Sequence, residues 1–420
     1  MALPYAIAKR EREKPGCEQG LLHRKIFDLS KGGLAMKMLN ALTLELDEPT
    51  IAISEIFEQL DLEHNAQKNA VGLLTCSYDF VESGMVKAIC EALPFDVIGC
   101  TTLTNANNSE AGTMLLCLTV FTADDCQFSA VVTESLRENL EGEVGTAVAR
   151  AQANLGADPQ MALALFPMFG LGGEIMLTAL DNALEGLPIF GTVACDFDTA
   201  EYSNTYTIYN GECFRDRLTF FLISGNVKPR FVMAATSEQN LRKQQAVITS
   251  SEGCIIKEIN NMTAREYFMS LGMTAGKGIE GMSSVPFVVD YGDGSQPVAR
   301  AIFGLDEDGS AVCGGYMPEG STLYIGRMDE KDILLTAENS IMELLNTEDL
   351  NGIILFPCLG RNMVLVMDPM AEIELVTKLI GDKVPWHLAY SAGECCPVHY
   401  VDNAKLKNRF HNFTFIGCAI

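Results

Sequence analysis

The chain has no C-x-x-C pair among its 14 cysteines, so it lacks the usual ligand spacing of a structural zinc site. It has no apolar stretch of the roughly 18–20 residues that would span a bilayer. Its short apolar start precedes Lys9-Arg10-Glu11-Arg12-Glu13-Lys14, the reverse of a signal peptide, in which the basic residues come first. Basic residues are few: 30 Lys and Arg stand against 55 Asp and Glu, a formal net charge of −25. Such a surface repels phosphate backbones and anionic bilayers, so neither nucleic acid nor membrane is expected as a partner. Its plainest consequence is solubility.

What is present is an apolar chain with regular patterning. Its 420 residues are 48% hydrophobic, enough for two or three compact units with real cores. Most cysteines stand singly in apolar runs, as at Cys76, Cys100, Cys117, Cys195, Cys358 and Cys418. There they behave as small hydrophobes, and a reducing, cytoplasmic location is expected. Residues 1–35 carry seven Lys/Arg and four Asp/Glu without periodicity, and are expected to form a flexible tail. Ordered structure is expected to open with a strand over Met36–Leu44. A helix follows over Glu48–Leu62, then a strand over Val71–Cys76 and a helix over Val81–Leu93 stopped by Pro94. The pattern then gives a strand over 96–102, a polar loop over 105–112, and a hairpin of 113–121 with 127–133.

Leu165-Phe166-Pro167-Met168-Phe169-Gly170 recurs as Leu355-Phe356-Pro357-Cys358-Leu359-Gly360. A helix precedes each copy, at 142–155 and 330–345. Strands expected at 298–303 and 311–316 match the hairpin before the first copy. A helix and a strand follow each, and segments containing Thr205-Tyr206-Thr207-Ile208 and Asn412-Phe413-Thr414-Phe415 close each half. The expected fold is α/β, with mixed sheets and flanking helices in two related halves from internal duplication, 36–240 and 241–420. Clefts between such halves favour small ligands.

Gly170-Leu-Gly-Gly-Glu174 joins a strand to a helix, but lacks the Lys-Ser/Thr of a phosphate loop, and Glu174 would repel phosphate; it reads as a tight turn. Cys358-Leu-Gly-Arg361 leaves a buried strand, where Arg361 is a candidate for binding a carboxylate, and Leu171 is its counterpart in the first half. Ser391-Ala-Gly-Glu394-Cys395-Cys396-Pro397 leaves the next strand, and strand carboxyl ends are where open α/β sheets bind ligands. Glu394 is read as a partner for a ligand amine or for Arg361. Glu394, Cys395, Cys396 and His399 also form a ligand-capable cluster for metal or haem iron, at no standard zinc spacing. The five histidines are His23, His64, His387, His399 and His411, and a cysteine hydrolase built on Cys358 would draw its base from the last three.

These residues carry a family resemblance. Cys358-Leu-Gly-Arg361, Tyr390-Ser-Ala-Gly393-Glu394-Cys-Cys-Pro397 and His411-Asn412-Phe413-Thr414 resemble, in order and spacing, the C-terminal part of the FIST sensory domain family. Residues 71–235 look like its N-terminal part. Ile256-Lys-Glu-Ile-Asn260, with Ala264 and Tyr267, resembles the junction. The resemblance implies a stand-alone cytoplasmic sensor for a small, amino-acid-like ligand, signalling through a partner such as a histidine kinase or chemoreceptor. It implies no enzymatic activity and no cofactor. A haem-based nitric oxide sensor and a cysteine-dependent hydrolase are the alternatives. The expected ligand set is Cys358, Arg361, Tyr390, Gly393, Glu394, Asn412 and Thr414. In it Arg361 takes a carboxylate, Glu394 an amine or hydroxyl, Tyr390 forms a wall, and Asn412 and Thr414 give neutral hydrogen bonds.

Overall fold

The structure, a computed structural model, describes residues 36–170, 172–196, 204–273, 286–400 and 403–420. The tail expected over 1–35 lies outside them. From Leu34 to Ile420 the chain is one compact unit.

Apolar runs, buried on both faces in the central strands, build three six-stranded mixed sheets of identical order. In the first sheet the order is Lys37–Thr43, Leu116–Ala123, Asn69–Cys76, Val97–Thr101, Thr207–Tyr209, Glu212–Phe214. In the second it is Gln127–Val132, Thr219–Ser224, Pro159–Phe166, Ile189–Val193, Glu394–Tyr400, Asn403–His411. The third runs Arg230–Ala234, Phe415–Ala419, Ile353–Pro357, Trp386–Ala389, Asn105–Asn107, Ala111–Gly112. In each, only the central pair is parallel, as a helical crossover requires. The crossovers are Met85–Ala92, Gly173–Ala183, and the pair Leu359–Val364 and Ala371–Ile380. A second helix precedes each central pair: Pro49–Leu60, Leu140–Ala153 and Glu330–Leu345. The latter two are N-capped by Asn139 and Asp329.

The chain is therefore mixed α/β with related halves, and the repeating unit is finer than the half. The first half holds two units and the second holds one. Each unit sends its last hairpin into a neighbouring sheet: the first unit into the third sheet, the second into the first, the third into the second. The halves thus exchange strands, and Arg230–Ala234 of the first half edges the sheet of the second. The third unit also carries an insertion, an eight-stranded sheet built from strands between Leu241 and Gly326. Its core includes Phe268 and Phe287, and Thr263 and Glu266 form a capping box on its Ala264–Ser270 helix.

Inner faces of the three sheets meet in one core containing Leu73, Phe121, Leu163, Phe190, Phe221, Ile354, Phe356 and Ile416. Phe190 stacks on Phe356 at 5.4 Å between centroids. The outer faces pack under the helices.

Five sequence expectations change. The 105–112 loop is a hairpin paired with Trp386–Ala389. Its polar Asn105 is accommodated because the side chain bonds to the Thr102 hydroxyl and the Leu115 carbonyl. The strands Leu116–Ala123 and Gln127–Val132 are consecutive but pair in different sheets. The strands near 298–303 and 311–316 belong to the insertion, and Thr207–Tyr209 is a hairpin strand, whereas Phe415–Ala419 matches Thr219–Ser224. The two Leu-Phe-Pro copies lie on equivalent strands but one residue out of register. Leu165 faces the central core and Leu355 faces the helices, as a one-residue slip demands.

Candidate functional site

Strand ends leave backbone groups that need partners, and the three units satisfy one another. At the carboxyl end of each parallel pair the same bond closes the turn. The N–H of Thr102 donates to the Cys76 carbonyl (2.9 Å), that of Ala194 to Phe166 (2.9 Å), and that of Ser391 to Pro357 (3.2 Å). One residue on, the bonds run cyclically between units: Leu103 N–H to the Tyr390 carbonyl (3.1 Å), Ala392 to Val193 (3.3 Å), and Cys195 to Thr101 (2.8 Å). The return bonds repeat too: Tyr390 N–H to Thr104 (3.0 Å), Val193 to Gly393 (2.9 Å), Thr101 to Tyr206 (2.9 Å). Six hydrogen bonds thus form a ring about a pseudo-threefold axis, at the strand ends where α/β sheets place ligands.

The register identifies equivalent positions on this ring. Asn105 lies opposite Ala389, Thr207 opposite Cys100, and Glu394 opposite Thr192. Asn105 donates to the Leu115 carbonyl (3.2 Å) and Thr207 to that of Arg217 (2.6 Å). The third copy has an acid there, and the arrangement inverts: Glu394 Oε2 accepts from the Thr414 hydroxyl (2.7 Å) and backbone N–H (3.4 Å). Glu394 Oε1 is buried without a nitrogen or oxygen donor, and the Cys358 thiol lies against the carboxyl. Burial pushes Glu394 up to about 8, against the opposing hydrogen bonds from Thr414 and Cys358, so the carboxyl holds its proton at neutral pH. Burial, reinforced by Glu394, holds the Cys358 thiol well above its ordinary range. Beside them the hydroxyls of Thr192 and Ser391 are hydrogen-bonded. Cys195, pushed up to about 12 by burial, also feels the charges of Asp196 and Glu394.

Of the seven residues expected from sequence, three gather here: Cys358, Glu394 and Thr414. Arg361 is fully buried and its donors are engaged. Nε and Nη2 bind Glu372 Oε1 (2.9 and 2.5 Å), and the remaining bonds go to the Ala235 and Ile333 carbonyls and the Thr336 hydroxyl. The carboxylate it was expected to take from a ligand is supplied by the protein, eleven residues downstream. Its charge still reaches Glu394, as the smallest influence on that acid. Tyr390, expected as a ligand wall at the strand ends, donates its hydroxyl to Glu372 Oε2 (2.6 Å) and packs its ring in the core under the helices. Gly393 gives its carbonyl to Val193 and to the Thr192 hydroxyl. Asn412 accepts from Ala301 N–H (3.2 Å), tying the closing strand to the insertion. Asn105 and Thr207 were missed because their equivalence to Glu394 appears only in the register, as does the place of Thr192 opposite it.

The Glu394-Cys395-Cys396-His399 cluster disperses, because strand neighbours alternate faces. Cys395 joins the core under the second sheet's helices, Cys396 the central core, and His399 is exposed. Among the described residues no three His, Cys, Asp or Glu side chains gather to hold a metal ion. His387 lies between the Thr75 and Thr119 hydroxyls (3.0 and 2.9 Å), and His411 Nε2 bonds the Cys396 carbonyl (3.0 Å). Burial pushes both imidazoles down to about 3. Neither is bonded to Cys358. Glu174, read as part of a turn, is a buried partner of Arg300 (2.8 Å), joining the second unit to the insertion.

The profile of the FIST N domain matches residues 70–262, and that of the FIST C domain matches residues 261–397. No curated protein matches the chain in sequence. Among solved structures, one described as "Cyanuric acid hydrolase: evolutionary innovation by structural concatenation" aligns with 91% of this chain and 98% of its own at 8% identity, with a TM-score of 0.33.

Proposed function

The chain belongs to the FIST family, a family of sensory domains, with the N and C domains in order, and from that premise we propose that it senses a small ligand at the ring around Glu394. It passes occupancy to a partner protein, a histidine kinase or chemoreceptor, in the cytoplasm, and does not turn the ligand over. The observation that carries this reading is Glu394 Oε1, a buried carboxyl oxygen without a nitrogen or oxygen hydrogen-bond partner. It stands at the one of three equivalent ring positions that has an ionisable side chain. Leaving such an atom unpaired costs about 1–3 kcal/mol, which a hydrogen-bonding group of a ligand at that point recovers. Two features favour sensing over hydrolysis. Burial and the Glu394 carboxyl disfavour the Cys358 thiolate, and among the described residues no imidazole is bonded to the thiol. A haem site has no gathered ligand set among the described residues. The amino-acid-like expectation keeps only its amine half, since Arg361 is bound to Glu372.

The test is mass spectrometry of small molecules released from natively purified protein, followed by calorimetry of the released compound on wild type and Glu394→Gln. The expected result is one co-purifying compound whose affinity falls roughly tenfold in the variant, the equivalent of about 1.4 kcal/mol. Unchanged affinity with the fold intact places the site elsewhere, and turnover of the compound overturns the sensor reading.

A further inference from the structure

Glu394 lies directly opposite His411 in the antiparallel pair of Glu394–Tyr400 with Asn403–His411. The neighbouring pair, Cys395 with Phe410, packs under the helices, so Glu394 and His411 share the other face of the sheet. Residues opposite each other in such a ladder stand about 4.5–5.5 Å apart at Cβ. Neither side chain is exposed to solvent. Each ends in one atom without a nitrogen or oxygen hydrogen-bond partner, Oε1 of Glu394 and Nδ1 of His411.

Their remaining atoms fix what these two offer. His411 Nε2 is bonded to the Cys396 carbonyl at 3.0 Å. A carbonyl only accepts, so Nε2 carries the hydrogen and Nδ1 presents a lone pair. Glu394 Oε2 accepts from the hydroxyl and the N–H of Thr414, which leaves Oε1 to carry the carboxyl proton. Burial keeps both groups uncharged at neutral pH. An acid O–H and an imidazole lone pair therefore stand on one face, from directly opposite residues. One oxygen making two hydrogen bonds of about 2.8 Å spans groups roughly 5 Å apart, the scale that the ladder sets.

Charge selects against ions here. Guanidinium groups act on both members of the pair, Arg361 on Glu394, and Arg300 and Arg409 on His411. They oppose a cation, and an anion would bring acceptors to Nδ1, which itself only accepts. The strand is also held by the insertion on both sides of His411. Arg300 donates to the Phe410 carbonyl (2.5 Å), and the Asn412 N–H donates to the Ala299 carbonyl (3.3 Å). A group bound at His411 thus acts on a strand that the insertion grips.

We infer, resting on the function proposed above, that His411 is a ligand-binding residue and that the group recognised is a neutral hydroxyl, accepting from Glu394 Oε1 and donating to His411 Nδ1. Of the amine or hydroxyl expected opposite Glu394, the pair selects the hydroxyl. Water offers the same chemistry, so a ligand hydroxyl is recognised by displacing it.

The experiment uses the full chain with ethanol, methylammonium and acetate as probes, titrated by saturation-transfer NMR on wild type, His411→Gln and Glu394→Gln. His411→Gln keeps an amide donor where Nε2 meets the Cys396 carbonyl and removes the Nδ1 acceptor, and urea midpoints confirm that the variants fold. Ethanol is expected to bind, roughly three- to tenfold more weakly in His411→Gln, the loss of one hydrogen bond. The two ions are not expected to bind. A second readout needs no variant fold: the imidazole nitrogen resonances of isotope-labelled wild type should show an unprotonated His411 Nδ1 that moves with ethanol. A protonated Nδ1, or one that ethanol leaves unmoved because water alone holds the place, overturns the inference. If Glu394→Gln weakens ethanol binding and His411→Gln does not, the His411 assignment is wrong and the proposed function stands. If ethanol binds and neither variant changes it, both readings fall. Methylammonium or acetate binding best, or no probe binding, overturns the hydroxyl class.

Discussion

Arg361 and Glu372 form an ion pair in which neither side chain is exposed to solvent. The Tyr390 hydroxyl holds the second carboxylate oxygen at 2.6 Å, and the guanidinium carbon lies 5.6 Å from the centre of the Phe415 ring. The pair joins the short helix after the Ile353–Pro357 strand to the Ala371–Ile380 helix, and its other bonds reach Ala235 and Ile333. It is a clamp beneath the ring.

Arg361→Ala should destabilise the fold by about 3–5 kcal/mol, because it leaves a buried carboxylate uncompensated. Arg361→Met with Glu372→Leu and Tyr390→Phe should come much closer to wild type, since all three polar partners leave together. Urea unfolding measures both. A single variant of unchanged stability would show that the pair is not a clamp.

Glu394 gives stability a definite pH slope. Its folded value, about 8, lies above its ordinary 4.5, so the folded protein keeps a proton that the unfolded chain loses. That contribution is fully present below about 4.5 and is lost as pH rises towards 8. His387 and His411, held near 3 in the fold against an ordinary 6.5, are half charged in the unfolded chain at pH 6.5 and offset the Glu394 slope there, an effect mostly gone above about pH 7.5. Stability should therefore fall as pH rises from about 7 to 8, by less than about 1.4 kcal/mol per pH unit. Glu394→Gln, which places an amide where the third sheet has Asn105, should flatten the slope. Equal slopes in urea series at four pH values would refute the assignment.

Thiol reactivity should follow burial. Cys213 and Cys254 are partly exposed, and Cys358 is buried against Glu394. At pH 8 an alkylating reagent should label the first two well before Cys358, whose thiolate burial and the neighbouring acid both disfavour. Peptide mapping of a labelling time course reads the order, and early labelling of Cys358 would revive the nucleophile reading.

The sequence carries strands and helices well where an apolar run or an apolar face marks them, as at Asn69–Cys76 and Glu330–Leu345. It also marks Cys358, Glu394 and Thr414 as neighbours. The threefold unit is hidden because what repeats is strand order and backbone bonding. The first unit has Thr75-Cys76-Ser77 where the others have apolar residues and proline. The apparent Leu-Phe-Pro repeat is an apolar run that slips by one residue. Arg361 looks available from sequence because its partner, Glu372, sits on a helix face like any surface acid, and only packing shows that both are dry.

Gly393 ties the ring to the second unit. A Cβ added there would lie 2.5 Å from the tip of the Phe410 ring, and one added at Gly173 would lie 2.3 Å from the same ring. Phe410 is 4% exposed and wedges between the two glycines, so it cannot yield to one side without meeting the other. The Gly393 carbonyl meanwhile accepts from Val193 N–H at 2.9 Å, which fixes the backbone in place. Gly393→Ala should therefore overpack the site and cost about 1–3 kcal/mol, with weaker protection of the Val193 amide in hydrogen exchange. Phe410→Leu alone should cost a comparable amount by opening a cavity. The double variant should lose less than the sum, because the smaller side chain makes room for the new methyl. Strict additivity in urea unfolding would mean that Phe410 and Gly393 are not in contact, and that something else holds this side of the ring.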